Sequence, residues 1–257
     1  MILGVDTGGT FTDFVLLTRS SSQPASSSSN NNTGQSAELR THKVLSTPGS
    51  PERAILLGIE EMGLAAEVAT GQVKIIHGST VATNAALEGK GVKTAFITNT
   101  GFRDLLTIGR QTRPELYLLE TPPISPPVSR ALCLEADGRI DSLGNELVPL
   151  NQLNLEALLT TLNQQKPDAV AISLLFSFLD PGHEKQIARF LAENLDYSPF
   201  ITCSHEVLPE YREYERGIAT WLNASLGPLV KKYLLNLKNS TQPSRLSVMQ
   251  SSGGTID

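Results

Sequence analysis

Cysteine is nearly absent from this chain. Cys133 and Cys203 are the only two in 257 residues, too few and too isolated for a disulfide framework or a cysteine-held zinc. Basic residues are outnumbered, 21 Lys and Arg against 26 Asp and Glu, for a net charge of -5. No basic patch dominates, which speaks against a nucleic-acid partner. No run approaches the roughly 18 consecutive apolar residues of a membrane span. The first residues also lack the basic start and apolar core of an export signal. We therefore expect a cytoplasmic protein with neither nucleic acid nor membrane as partner. Several catalytic signatures are missing too. There is no G-x-x-x-x-G-K-[ST] loop, no Rossmann glycine spacing, no H-E-x-x-H and no G-x-S-x-G elbow. These absences leave a serine or cysteine nucleophile, and a metal held solely by protein side chains, without support.

What is present begins at the first residue. Met1 to Asp13 reads M-I-L-G-V-D-T-G-G-T-F-T-D: an apolar run, a buried-looking aspartate, a glycine pair with hydroxyls, then apolar residues again. The pattern predicts a hairpin of strands over 2–5 and 11–17. Ser20 to Ser36 is almost entirely polar and small, so it reads as a disordered insert. Residues 39–45 resume the sheet as a third antiparallel neighbour. Helical spacing over 52–62, a strand over 73–76, a helix over 81–87 and a strand over 92–98 predict an α/β layered domain. A proline-rich connector follows from Arg113. Beyond it we expect helices over 153–162 and 183–195, and strands over 169–176 and 199–203. A long helix over 209–237, bent at Gly227-Pro228, leads into a strand over 246–249. The expected domains are thus 1–112, a connector with a second α/β subdomain over 113–208, and 209–257. A strand entering Ser251-Ser-Gly-Gly254 leads us to expect an architecture that continues past Asp257.

Four stretches carry candidate chemistry. In Asp6-Thr-Gly-Gly-Thr10 the glycines permit positive φ and let backbone N–H groups face an anion. Thr7, Thr10 and Thr12 add hydroxyl donors, and Asp6 suits a hydrated Mg²⁺ or a water. A tight hairpin needing glycine only for its geometry is the alternative. In Ile75 to Asn84 a strand delivers His77 to a glycine turn before a helix, so His77, Ser79, Thr80 and Asn84 share one end of the fold. There the alternative is helix capping and a core histidine. Arg103, Arg110 and Arg113 present forked donors suited to a carboxylate or phosphate, with Asp104 placed to position Arg103, or else the arginines are solvated. Finally, His205 and Glu206 follow a strand end, while Glu210, Glu213 and Arg216 fit helical ion pairing.

Together, D-T-G-G-T-F-T-D (6–13), I-I-H-G-S-T-V-A-T-N-A (75–85), G-F-R-D (101–104), I-G-R-Q-T-R-P-E-L-Y (108–117), S-H-E-V-L-P-E-Y-R-E-Y-E-R (204–216) and M-Q-S-S-G-G (249–254) resemble the hydantoinase A/5-oxoprolinase family. The resemblance implies an actin-like ATPase fold with ribonuclease-H-like lobes, here incomplete at the C-terminus. It implies ATP and Mg²⁺, with Asp6 to Thr10 and Thr12 on the phosphates and Asp6 holding the metal through water. The implied activity is ATP-driven opening of a small cyclic amide or hydantoin-like substrate. Asp6, His77 and Arg110 are then the catalytic candidates. Ser79, Thr80, Asn84, Arg103, Asp104 and Arg113 are candidate walls on the substrate side. Implied partners are the C-terminal region that follows in the family and a hydantoinase B-like subunit. Two other readings stay open: a non-catalytic regulatory relative, and part of an acetone-carboxylase-type large subunit. Because the family's second glycine-rich aspartate loop is missing from these residues, the expectation is weak ATPase activity for the chain alone. The family's V-x-E-R before the polar turn is replaced here by Cys133-Leu-Glu-Ala136.

Overall fold

The computed structural model describes residues 1–19, 37–112, 117, 126–250 and 252–257. The Ser/Asn-rich insert, Arg113 and most of the proline-rich connector lie outside the described residues. In chain order the elements are β1 (Ile2–Thr7), β2 (Phe11–Arg19), β3 (Ala37–Leu45), α1 (Pro51–Glu61), α2 (Ala65–Ala69), β4 (Lys74–Ser79), α3 (Val81–Leu87), β5 (Thr94–Asn99), α4 (Leu105–Ile108), β6 (Cys133–Ala136), β7 (Arg139–Ile140), β8 (Glu146–Val148), α5 (Gln152–Gln165), β9 (Ala169–Ile172), α6 (Gly182–Asn194), β10 (Phe200–Cys203), α7 (Ser204–Val207), α8 (Glu213–Thr241), β11 (Arg245–Met249) and β12 (Thr255–Ile256). They divide into two compact units, one of Met1–Glu88 with Val230–Asp257 and one of Gly89–Leu229.

The first unit is built on a sheet of order β12-β11-β4-β1-β2-β3. β1–β2 and β2–β3 are antiparallel pairs, as the sequence predicts, whereas β4 and β11 run parallel to β1. Alternation along β1 turns Leu3, Val5 and Thr7 inward and leaves Asp6 outward and exposed. Asp6 is therefore not the buried aspartate expected from its apolar neighbours: the two-residue period puts it on the opposite face from them. Pro51 starts α1, where a missing N–H is harmless. The helix buries Ala54, Ile55 and Ile59 with Leu3, Phe14 and Ile75 in one core. Gly58 makes this approach possible, since a Cβ there would lie 2.1 Å from the Phe14 ring.

The second unit is a parallel sheet of order β10-β9-β5-β6. β5 and β9 are buried along their whole length, as parallel strands covered on both faces must be. Leu155, Leu158 and Leu162 of α5 and Ile187 and Leu191 of α6 complete its core. The predicted strand over 169–176 ends at Ile172. Beyond it Leu174, Phe176 and Ser177 turn, with Phe176 at φ 57°. α8 contains Pro228 within its length. Gly227 beside it admits the Phe200 ring, which a Cβ would approach to 2.6 Å.

The units divide the chain differently from the expected breaks at 112 and 208. Strand β5 pairs with β6 and β9 rather than with the first sheet. The last strands return to β4, so the first unit is assembled from both ends of the chain.

Candidate functional site

Because β1, β4 and β11 are parallel and adjacent, their carboxyl ends share one edge of the first unit. Thr7 pairs with Ser79, and His77 with Val248. Three loops leave this edge: Gly8-Gly9-Thr10, the Ser79–Thr80 entry to α3, and the turn after Gln250. Such edges are where open α/β sheets bind ligands.

The first loop is closed by the Gly8 N–H donating to the Phe11 carbonyl at 3.0 Å. Neither Gly8 nor Gly9 has positive φ, so the expected conformational reason for them does not hold. Space is tight at both positions instead. A Cβ on Gly8 would lie 3.1 Å from the Phe11 carbonyl oxygen, and one on Gly9 3.1 Å from Asn84 Nδ2. The Thr80 N–H and hydroxyl both donate to the Thr7 carbonyl, at 3.1 and 3.3 Å. Asn84 Nδ2 donates to Thr80 Oγ1 at 3.3 Å, and Ser79 Oγ accepts the Val81 N–H at 3.2 Å. The structure thus brings Thr7 to Thr10 together with Ser79, Thr80 and Asn84. Thr7 Oγ1 is buried with no hydrogen-bond partner. Asp6 lies opposite Asp13 on the exposed face, and Asp13 is paired with Lys43 at 3.1 Å. Two facing carboxylates repel unless a cation is near, and the Lys43 ammonium is that cation.

Two expected ligands do not reach this loop surface. Thr12 has no exposed area. Its hydroxyl meets Ser46 Oγ at 3.0 Å, and Ser46 in turn donates to the Gly8 carbonyl at 2.8 Å. Ser46 also donates its N–H to the Thr10 carbonyl. Thr12 and Ser46 therefore brace the hairpin from beneath. Ser46 is missed from sequence because Ser-Thr-Pro-Gly reads as a chain breaker. His77 likewise has no exposed area. Its Nε2 lies 3.3 Å from the Tyr233 hydroxyl, with the rings edge to face. Burial pushes its pKa down, outweighing the Val5 carbonyl and the Asp6 carboxylate, which favour the cation. A neutral, enclosed ring conflicts with the expected catalytic role and suits a group that positions the end of β4. Tyr233, far away in sequence, carries no local signal of this role. The third loop is a hairpin in which Gln250 donates its N–H to the Gly254 carbonyl at 2.8 Å, with Gly253 at φ 86°.

Arg103, Asp104 and Arg110 belong to the second unit. Arg110 donates to Glu215 at 2.8 Å and lies over the Tyr214 ring, so its charge is already paired. Arg103 donates to the Arg130 carbonyl at 2.8 Å. Asp104 is exposed at the start of α4 without a capping bond. Arg113 lies outside the described residues. The second unit also holds a buried network that the sequence did not signal. Glu184, with no exposed area, accepts from Leu174 N–H (2.9 Å), Ser204 Oγ (2.6 Å), His205 N–H (3.1 Å) and His205 Nδ1 (2.7 Å). Glu184, Cys203 and His205 bring ligating atoms within 4.8 Å of one another. Both carboxylate oxygens are filled, however, and burial beside Glu184 pushes the Cys203 thiol up to about 12. The cluster is organised as a hydrogen-bonded core rather than as a metal centre.

Among the described residues no helix is long and apolar enough to cross a membrane. The sequence profile of the hydantoinase/oxoprolinase N-terminal region matches residues 2–195. An uncharacterized protein of Methanocaldococcus jannaschii is 37% identical over 98% of this chain and 35% of its own length. The caprolactamase subunit alpha of Pseudomonas jessenii is 32% identical over 98% of the chain and 35% of its own length. The crystal structure of the ATP-dependent caprolactamase from Pseudomonas jessenii matches with TM-score 0.80 at 31% identity, over 99% of this chain and 36% of that one. A nucleotide-free acetone carboxylase structure matches with TM-score 0.80 over the same shares at 21% identity, a likeness of fold alone. The chain spans about a third of the length of these relatives.

Proposed function

The chain belongs to the hydantoinase/oxoprolinase family and has the α/β, actin-like ATPase fold of its caprolactamase relative, and on that premise we propose that it is the phosphate-binding N-terminal part of an ATP-dependent enzyme that opens small cyclic amides. The observation that carries this reading is the hairpin cradle: Gly8 and Gly9 each lie where a Cβ would crowd a neighbour, beside the hydroxyls and amide of Ser79, Thr80 and Asn84. Backbone N–H groups of such a turn suit phosphate oxygens. In this reading Thr7 Oγ1, buried without a partner, donates toward the same anion, and Asp6 holds Mg²⁺ through water. Bound ATP supplies the phosphoryl group that makes an unreactive amide carbon open to attack. Thr80 and Asn84 fix the loop against α3, Ser46 braces it from below, and His77 with Tyr233 holds the end of β4. These contacts fix the donors before the reaction, which is how electrostatic stabilisation avoids reorganisation.

The test is nucleotide binding by calorimetry on the 257-residue chain with Mg-ADP and Mg-ATP. We expect saturable binding that falls at least tenfold in Asp6→Ala and Gly9→Ala. Wild-type protein that binds neither nucleotide, or variants that bind as well as wild type, would overturn the reading. A hydantoinase B-like subunit belongs to the same proposal as partner. A panel of caprolactam, hydantoin, 5-oxoproline and acetone with bicarbonate, run with ATP on the full-length or reconstituted enzyme, separates amide opening from carboxylation.

A further inference from the structure

The first unit carries a surface that the hairpin site does not use: the face of its sheet turned away from α1. Alternation sends Leu3, Val5, Phe14 and Leu16 into the core beneath α1, so the residues between them point the other way. There the register sets apolar side chains beside one another. Ile2 pairs with Leu17 and Leu17 with Leu39, while Phe11 pairs with Leu45. Between these two rows Val15 and Ile76 flank Gly4, whose missing side chain leaves a dent. Phe11 is 42% exposed, Val15 43%, Leu39 61% and Leu45 68%. Asp13 and Lys43, which interrupt the apolar rows on β2 and β3, are paired with each other. From Phe11 to Leu17 the patch runs about 20 Å along β2 at the usual rise of a strand.

The topology explains why this face is bare. β3, β1, β4 and β11 all point the same way. The connection from β3 to β4 and the return into β11 both step in one direction along the sheet. Crossovers of one hand that step one way lie on one face. Leu237 of α8 accordingly joins Ala54, Ile55 and Ile59 of α1 in a single core. Parallel strands are ordinarily covered on both faces, and a contiguous exposed apolar patch marks a contact surface. The longer relatives have polypeptide to supply that cover. The matching profile describes an N-terminal region, and the matched part is only 35% of caprolactamase subunit alpha and 36% of the solved caprolactamase chain. β12 is itself a strand of this sheet, next to β11, so polypeptide continuing from it starts beside the bare face.

We propose that the face opposite α1 is the docking surface for an amphipathic helix from the polypeptide that follows this N-terminal region in the longer relatives. A helix is the cover that crossovers lay on parallel strands, and about 13 residues of it match the length of the patch. Its apolar stripe lies over Val15 and the dent at Gly4, between the Phe11–Leu45 row and the Ile2–Leu17–Leu39 row. The rule of hand that put α1 and α8 on one face puts a helix on the other once the chain reverses its direction along the sheet. The inference rests on the sheet and on family membership, not on nucleotide binding at the hairpin.

Cysteine labelling tests it without nucleotide, because Cys133 and Cys203 are both buried. Val15→Cys and Leu45→Cys are treated with a maleimide in the 257-residue chain and in the full-length enzyme, with the urea-unfolded variants as the reference rate. We expect both to react quickly in the dilute 257-residue chain. In the full-length enzyme both slow by about tenfold or more, since labelling then needs the helix to lift away. A second variant reads the same contact by stability. Val15→Lys leaves the melting temperature of the 257-residue chain nearly unchanged and lowers that of the full-length enzyme. Slow labelling in the dilute chain alone means that the face is already closed. Protection that grows with the concentration of that chain makes the occupant a second copy. Protection that needs an added hydantoinase B-like subunit makes it that partner. Each of these outcomes overturns the proposal, as does equal labelling, or an equal effect of Val15→Lys, in the chain and the full-length enzyme.

Discussion

At the scale of single residues, the hairpin glycines and His77 make separable predictions. Gly9→Ala brings a methyl against the Asn84 amide, the movable end of a side chain. Its cost to folding is therefore small, under about 1 kcal/mol, since only flexible atoms must shift. The expected loss is in nucleotide affinity, and Asn84→Ala in the same chain restores part of it, which calorimetry on the four variants of the cycle would reveal. His77 is held neutral by burial, with its folded pKa below the ordinary 6.5. Below pH 6.5 the unfolded chain therefore binds a proton that the folded chain refuses, and stability falls with pH until the lowered folded value is reached. Thermal melts between pH 7.5 and 5 should show this slope, and His77→Gln should flatten it. A wild-type melting temperature with no greater acid dependence than the variant's would contradict the assignment.

At the scale of elements, close approaches set the packing, and the sharpest lies between α1 and β2. Gly58→Ala places a methyl inside the Phe14 ring, and overpacking of this kind costs typically 1–3 kcal/mol. Urea unfolding should show it, and pairing it with Phe14→Leu should recover part of the loss. Much at this scale was legible in the sequence. Apolar alternation marks β1 and β2, Pro51 opens α1, and the Thr-Gly-Gly-Thr turn falls between paired strands. What was not legible depends on partners distant in the chain. Nothing near His77 announces Tyr233, and nothing near His183-Glu184 announces that Ser204 and His205 will saturate the carboxylate. Both involve buried polar groups, whose partners are set by tertiary packing rather than by local pattern. The glycine hairpin was legible as a turn, but for the wrong physical reason. Composition cannot tell a glycine chosen for positive φ from one chosen for lack of volume.

At the scale of the whole molecule, the units differ in how the chain supplies them. Gly89–Leu229 is one continuous stretch with its own apolar core, so it should fold when expressed alone. Circular dichroism and a cooperative thermal transition would show this, whereas a non-cooperative melt would show that it needs the rest of the chain. The first unit has no such independence, because Arg245 pairs with Lys74 across the entire second unit. This register has a consequence for biosynthesis. On the ribosome, β1 to β4 emerge early but wait with the β11 edge of β4 unpaired, while the second unit is translated and closes its parallel sheet. Slow closure over so long an intervening segment is the general cost of non-local pairing. The hairpin at Asp6 is thus made first and its sheet is finished last, so the nascent chain acquires its second unit before the edge proposed to bind phosphate is complete.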